Sequence, residues 1–142
     1  MNQTPTSSYD DLGVFFEDRH DAVSKRAVAF AAGWSVPLER DDNAATRDAA
    51  LALAAAGLTD YCVPEDFGGA AVGNPGGLDA RSLTLIREAL GWSDGLLDTA
   101  FAMQGLGSYP ITLAGTAAQK TKYLPGVLAG QRLGAFALTE PE

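Results

Sequence analysis

The side chains that could do chemistry are few in kind. The chain carries 18 aspartates and glutamates but a single histidine, His20, and a single cysteine, Cys62. Paired carboxylates can act as general acid and base, an imidazole can carry a proton, and a thiolate can attack a carbonyl or hold a metal. Each role needs a partner at a suitable spacing. His20 has no second histidine and no nearby cysteine, so it reads as a surface residue on the charged side of a helix. Cys62 sits in the apolar run Tyr61-Cys62-Val63 and reads as a packed small hydrophobe. One cysteine also excludes an internal disulfide and a thiolate metal cluster. The acidic pairs Asp41-Asp42 and Glu65-Asp66 read as caps and solvated faces. H-E-x-x-H and G-x-S-x-G are both absent. The glycine-rich stretch from Gly68 to Gly77 matches neither G-x-G-x-x-G nor G-x-x-x-x-G-K-[ST], and Gly105-x-Gly107 does not follow a strand. The residues alone therefore carry no self-contained catalytic constellation and no metal site.

Bulk properties narrow the classes further. A chain of 142 residues with 46% hydrophobic content is one domain's worth and can bury a core. Its net charge of −8 argues against sequence-independent nucleic-acid binding and against a basic membrane-surface helix. No apolar run is long enough to span a bilayer, and the first residues are polar and uncharged, unlike a signal or transit peptide. The expected location is the cytoplasm.

The elements that must position any site are mostly helices. Leu12, Phe15, Phe16, Ala22, Val23, Ala27, Phe30 and Ala31 recur at helical spacing, which predicts one long amphipathic helix from Asp10 or Asp11 to near Gly33 and Pro37. A second helix is predicted over Ala44 to Ala56, with Asn43 as cap and Gly57 as stop. A third runs from the cap Asp79 to Leu90. A fourth runs from Ser93 or Asp94 to about Leu106, where Gly105-x-Gly107 terminates it. Pro110 opens a short helix to Ala114. Thr116, with Gln119 three residues on, caps a last helix that Pro125 and Gly126 stop. From Arg132 the period becomes two, through Leu133, Gly134, Ala135, Phe136, Ala137 and Leu138, which predicts a strand ended near Pro141. A lone strand has no partner for its backbone groups, so it would belong to a β-structure beyond this chain. The expected class is all-α: an antiparallel helical bundle with one strand at its C-terminal edge.

The string QKTKYLPGVLAGQRLGAFALTEP, residues 119–141, closely resembles the acyl-CoA dehydrogenase family where its N-terminal helical domain meets its middle β-domain. Gly57-Leu58 and Val63-Pro64-Glu65-Asp66-Phe67-Gly68-Gly69 resemble the family's "GL…VPEEYGG" turn. Leu106-Gly107, Pro110-Ile111 and Gly115-Thr116 keep the family's order and spacing. The resemblance covers roughly Asp11 to the end and implies three divisions: a flexible N-terminus over 1–10, a helical domain over 11–131, and the start of the β-domain over 132–142. It also implies the chemistry. An acyl-CoA is oxidised to its trans-2-enoyl form, with a glutamate base taking the α-proton and FAD taking the β-hydride. An electron-transfer flavoprotein or another acceptor reoxidises the flavin, and the enzyme assembles as an oligomer. The family's base comes from a C-terminal bundle, so no catalytic residue is nominated here, and this chain alone is expected to be inactive.

Binding residues carry over by position. Phe136, Leu138 and Thr139 match residues that lie against the flavin ring. Asp98, Thr99, Ala102, Met103 and Leu106 fall on the helix that lines the acyl cavity. Ordinary packing remains an alternative for both sets. Asp98 is an unexpected lining for an aliphatic chain, which leaves branched, aromatic, steroid-like and polar acyl groups open. A second class of function also stays open: a non-catalytic helical module, or a split subunit docking with a chain that carries the β- and C-terminal domains.

Overall fold

Helix starts in this chain are set by side chains that accept from otherwise unpaired N–H groups of the first turn. A computed structural model describes residues 7–35, 41–70, 72–73 and 77–137. Ser7 caps α1 (Ser8–Asp11), and a 3₁₀ turn, Gly13–Phe15, leads to α2 (Asp18–Gly33). Asp41 caps α3 (Asp42–Ala55), its carboxylate accepting from the Ala44 N–H at 2.9 Å. Two 3₁₀ turns follow, Thr59–Cys62 and Glu65–Phe67. Asp79 caps α4 (Ala80–Ser93), Asp94 caps α5 (Gly95–Ala114), and Thr116 caps α6 (Ala117–Leu128). At α6 the capping is reciprocal: the Gln119 N–H donates to Thr116 Oγ1 at 3.3 Å, and the Thr116 N–H donates to Gln119 Oε1 at 2.8 Å.

Among the described residues there are six α-helices and no sheet, so the fold is all-α. α5 is the hub, packing against α3, α4 and α6, while α2 packs on α4. α4 and α5 fold back on each other at Asp94, which brings Arg87 beside Asp98. The core is built at helical spacing from Val23, Ala27 and Ala31 of α2, Ala49 and Leu53 of α3, Ile86, Ala89 and Leu90 of α4, and Leu97, Ala100 and Phe101 of α5. Each buried leucine contributes roughly 2 kcal/mol. A smaller cluster, Val63, Leu124 and Val127, ties α6 to the segment after α3. No helix among the described residues is long and apolar enough to cross a membrane.

Several expectations are corrected. The first predicted helix is broken into α1, a 3₁₀ turn and α2, and Leu12 and Phe15 are exposed rather than packed. The second helix is capped by Asp41, two residues before Asn43. Gly105-x-Gly107 does not end a helix, and Pro110 does not begin one, because α5 runs unbroken through both to Ala114. Glycine costs about 1 kcal/mol in a helix interior, but here the missing side chain permits contacts that offset it. A Cβ on Gly107 would lie 2.7 Å from the Gly134 Cα. α6 continues past Pro125 and Gly126 to Leu128. Pro125 removes one helical donor and crowds the preceding turn, yet the helix continues past it, and the end is made instead by Gly130 in the left-handed region at φ 67°. Finally, residues 132–137 form no strand, since no neighbouring strand pairs with them. The Gly134 N–H finds a side-chain acceptor instead, Gln104 Oε1 at 2.6 Å. Leu138 and the expected strand end at Thr139-Glu140-Pro141 lie outside the described residues.

Candidate functional site

The apolar faces of α4 and α5 diverge enough to leave a groove of about 880 Å³. α4 contributes Leu83, Thr84, Arg87 and Glu88, spaced so that one helical face looks into it. α5 contributes Phe101, Ala102, Gly105, Leu106 and Tyr109. Cys62 lines the base and Phe136 comes in from the segment after α6. The small Ala102 and Gly105 make the room on the α5 side. The exposed rings of Tyr109 and Phe136 and the exposed Leu106 mark where the groove opens.

The two charged residues at this groove are already partnered. The Arg87 guanidinium donates from Nε and Nη2 to the two oxygens of Asp98, at 2.9 and 2.7 Å. Glu88 accepts from the Ser8 N–H at 2.9 Å and from the Ser8 hydroxyl. The remaining lining is dominated by carbon, so the site suits an apolar chain entering from solvent.

The predicted binding residues divide accordingly. Ala102, Leu106 and Phe136 come together in the groove. Asp98 stands behind it as the partner of Arg87. Thr99 is exposed and Met103 half-buried, and neither is part of the lining. Leu138 and Thr139 are outside the described residues.

Sequence reading missed Arg87, Tyr109 and Gln104. Gln104 had a visible signal: it is a lone amide in the apolar run from Phe101 to Leu106, three residues from Phe101 and four from Ser108 on the buried face of α5. It is fully buried and bonded. Its Nε2 donates to the Arg132 carbonyl at 2.9 Å and to the Val127 carbonyl at 3.3 Å.

His20 is the clearest correction. It is 0% exposed, not a surface residue. The Glu17 N–H donates to its Nδ1 at 2.8 Å, so Nε2 carries the proton and donates to Asp79 at 2.7 Å. Asp79 also accepts from Ser82 Oγ at 2.8 Å and caps α4. This cluster joins the start of α2 to the start of α4; its own side chains are not in the groove lining, although their chain neighbours Leu78, Ala80 and Leu83 are. Cys62 is buried as expected, and burial pushes its thiol up to about 12, which leaves it unreactive.

Residues 17–131 match the family model for the acyl-CoA dehydrogenase N-terminal domain. The chain belongs to the acyl-CoA dehydrogenase family. This acyl-CoA dehydrogenase domain is 41% identical over 85 residues to a probable acyl-CoA dehydrogenase of Bacillus subtilis (strain 168), covering 60% of the chain and 13% of that protein. It is 44% identical over 80 residues to the mitochondrial very long-chain specific acyl-CoA dehydrogenase of Rattus norvegicus, covering 56% of the chain and 11% of that protein. It is 31% identical over 132 residues to the 3-(aryl)acrylate reductase of Clostridium sporogenes (strain ATCC 15579), covering 90% of the chain and 33% of that protein. The chain therefore spans a third or less of the length of these relatives.

Proposed function

We propose that the chain is the N-terminal domain of a flavin-dependent oxidoreductase that dehydrogenates an acyl-CoA thioester between its α and β carbons. The observation that carries this is the apolar groove between α4 and α5, opened by Ala102 and Gly105 and flanked by Phe136. On this reading the groove takes the acyl group and excludes water from it. Asp98 contributes indirectly, by holding Arg87 against the wall. Half-buried Met103 acts through the packing of α5, whereas Thr99 is exposed and outside the lining.

The residues present suit part of a flavin site. Phe136 is 55% exposed at the groove and offers an apolar ring face to one side of a flat heterocycle. Phe136, with Leu138 and Thr139 beyond it, would hold the ring of FAD, which supplies a hydride acceptor when bound. Residues 11–131 would form the helical domain and 132–142 the entry to a β-domain. The complete protein would pass electrons to an electron-transfer flavoprotein or another acceptor and work as an oligomer.

The 142-residue chain alone is proposed to be inactive. Among the described residues, Glu88 is the carboxylate in the groove lining, and its oxygens are committed to Ser8.

The test is calorimetric titration of the chain with octanoyl-CoA, beside Ala102→Trp, which fills the groove. Saturable binding in the wild type that disappears in the variant supports the reading. No binding in the wild type, or equal binding in both, overturns it. A docking module without catalysis is the second reading, favoured by the exposed row Leu106, Tyr109 and Leu113 on α5. It would be carried by a chain that binds no acyl-CoA yet restores flavin retention to a separately expressed partner holding the β- and C-terminal domains.

A further inference from the structure

The segment that follows α6 is held on α5 by two independent devices. One is the buried amide of Gln104, which is 1% exposed. It donates to the Arg132 carbonyl at 2.9 Å and accepts from the Gly134 N–H at 2.6 Å, so it grips the segment on both sides of Leu133. Through the Val127 carbonyl at 3.3 Å it also reaches the end of α6. The other device is contact between two backbones. A Cβ on Gly134 would lie 2.2 Å from the Met103 carbonyl oxygen, and one on Gly107 would lie 2.7 Å from the Gly134 Cα. The segment can sit this close to α5 only because both positions are glycine.

Two residues beyond the clamp is Phe136, the lining residue that comes from this segment. The Phe136 ring is more than half exposed and, among the described residues, no ring–ring pair holds it, whereas Tyr9, Phe16, Phe30 and Trp34 are each in one. Its placement depends on the backbone that carries it. We infer that Gln104 is a positioning residue, which acts through the backbone of residues 132–134 to set Phe136 as a wall of the acyl groove. The inference rests on the reading of the groove given above and deepens it. Gln104 touches no acyl group itself. An isosteric apolar side chain would keep the core filled and lose the grip, because the Arg132 carbonyl and the Gly134 N–H would be left without their partner.

The experiment uses the 142-residue chain grown with 4-fluorophenylalanine, with the Phe136 fluorine signal identified by Phe136→Leu. The wild-type signal is expected away from the position of the free amino acid. In Gln104→Met it is expected to collapse towards that position. Thr116→Ala, which weakens the exposed cap of α6, serves as a control that lowers stability without moving the signal. An unchanged Phe136 signal in Gln104→Met overturns the inference, as does an equal collapse in Thr116→Ala. If Gln104→Met fails to fold, Gln104→Asn, whose shorter amide cannot reach both the Arg132 carbonyl and the Gly134 N–H, takes its place and is read in the same way.

Octanoyl-CoA then tests the consequence. Gln104→Met is expected to weaken its binding about tenfold, the effect of one buried hydrogen bond. Combined with Phe136→Ala it should add nothing beyond Phe136→Ala alone. Additive losses overturn the inference. A wild-type chain that binds no octanoyl-CoA defeats the groove reading, and the fluorine signal then decides the position of Phe136 by itself.

Discussion

Asp79 shows how much of this domain's stability one carboxylate can gather. It caps α4, accepts from Ser82, and receives the only histidine of the chain. Burial opposes its charge, but hydrogen bonds from Ser82, His20 and the Arg81 N–H outweigh it and hold the carboxyl below its ordinary 3.8. A depressed carboxylate contributes stability that is complete above the unfolded value and lost as pH falls through the lower folded value. Asp79→Asn is therefore expected to cost about 3 kcal/mol near neutrality, since it breaks a mostly buried polar cluster. The difference from wild type should narrow in acid, below about pH 4, where the wild type loses the same contribution. Urea unfolding at pH 7 and pH 3 measures both effects. His20→Ala should cost about as much at pH 7, because it removes a buried ring and leaves Asp79 short of a donor.

At the scale of elements, α6 offers a direct comparison between its two ends. Its start is held by the exposed reciprocal cap of Thr116 and Gln119. Its end depends on Gly130, which has φ 67° and whose Cβ, if present, would lie 2.4 Å from the Ala50 carbonyl oxygen of α3. Thr116→Ala removes one cap and should cost about 1 kcal/mol. Gly130→Ala should cost more, about 2 kcal/mol or above, because left-handed strain and the collision with α3 add. Thermal unfolding of the two variants ranks them, and a smaller loss in Gly130→Ala would mean that the end of α6 relaxes away from α3. α5 is the converse case. Its interior glycines and proline are unfavourable for an isolated helix, yet it is the longest helix described, because it lies between α3, α4 and α6.

At the scale of the whole molecule, one connected core joins α2, α3, α4 and α5, and Cys62 lies inside it at 0% exposure. Its thiol should therefore react only when the domain opens as a unit. Labelling with a thiol reagent at pH 8 is expected to follow global unfolding, with a rate that rises in Asp79→Asn about tenfold for each 1.4 kcal/mol of lost stability. Fast labelling insensitive to that substitution would mean that the base of the groove opens locally. The open side of the groove is different in kind. Leu106, Tyr109 and Phe136 keep substantial exposed apolar surface there, while the acidic net charge of −8 counts against self-association.

Helix content, the caps at Asp79, Asp94 and Thr116, and the packed state of Cys62 were legible in the sequence. They depend on residues within one helical turn, or on local apolar runs, and such signals travel with the chain. The candidate groove was legible in part. Ala102 and Leu106 of the lining followed from the family resemblance as acyl-cavity residues, whereas Phe136 was expected at the flavin ring and not in the groove. Arg87 was invisible as a groove residue because its role depends on Asp98, eleven positions away on the next helix. His20 was misread for the same reason, since its partner Asp79 lies 59 positions further on. Gly105, Gly107 and Pro110 looked like helix ends because local propensity says so, and the packing of α5 overrides it. Local sequence thus determined which stretches coil and where most of them begin. Which polar groups are buried, which helices run through their breakers, and where the groove lies were decided by tertiary contact, because their partners meet only after the chain has folded back on itself.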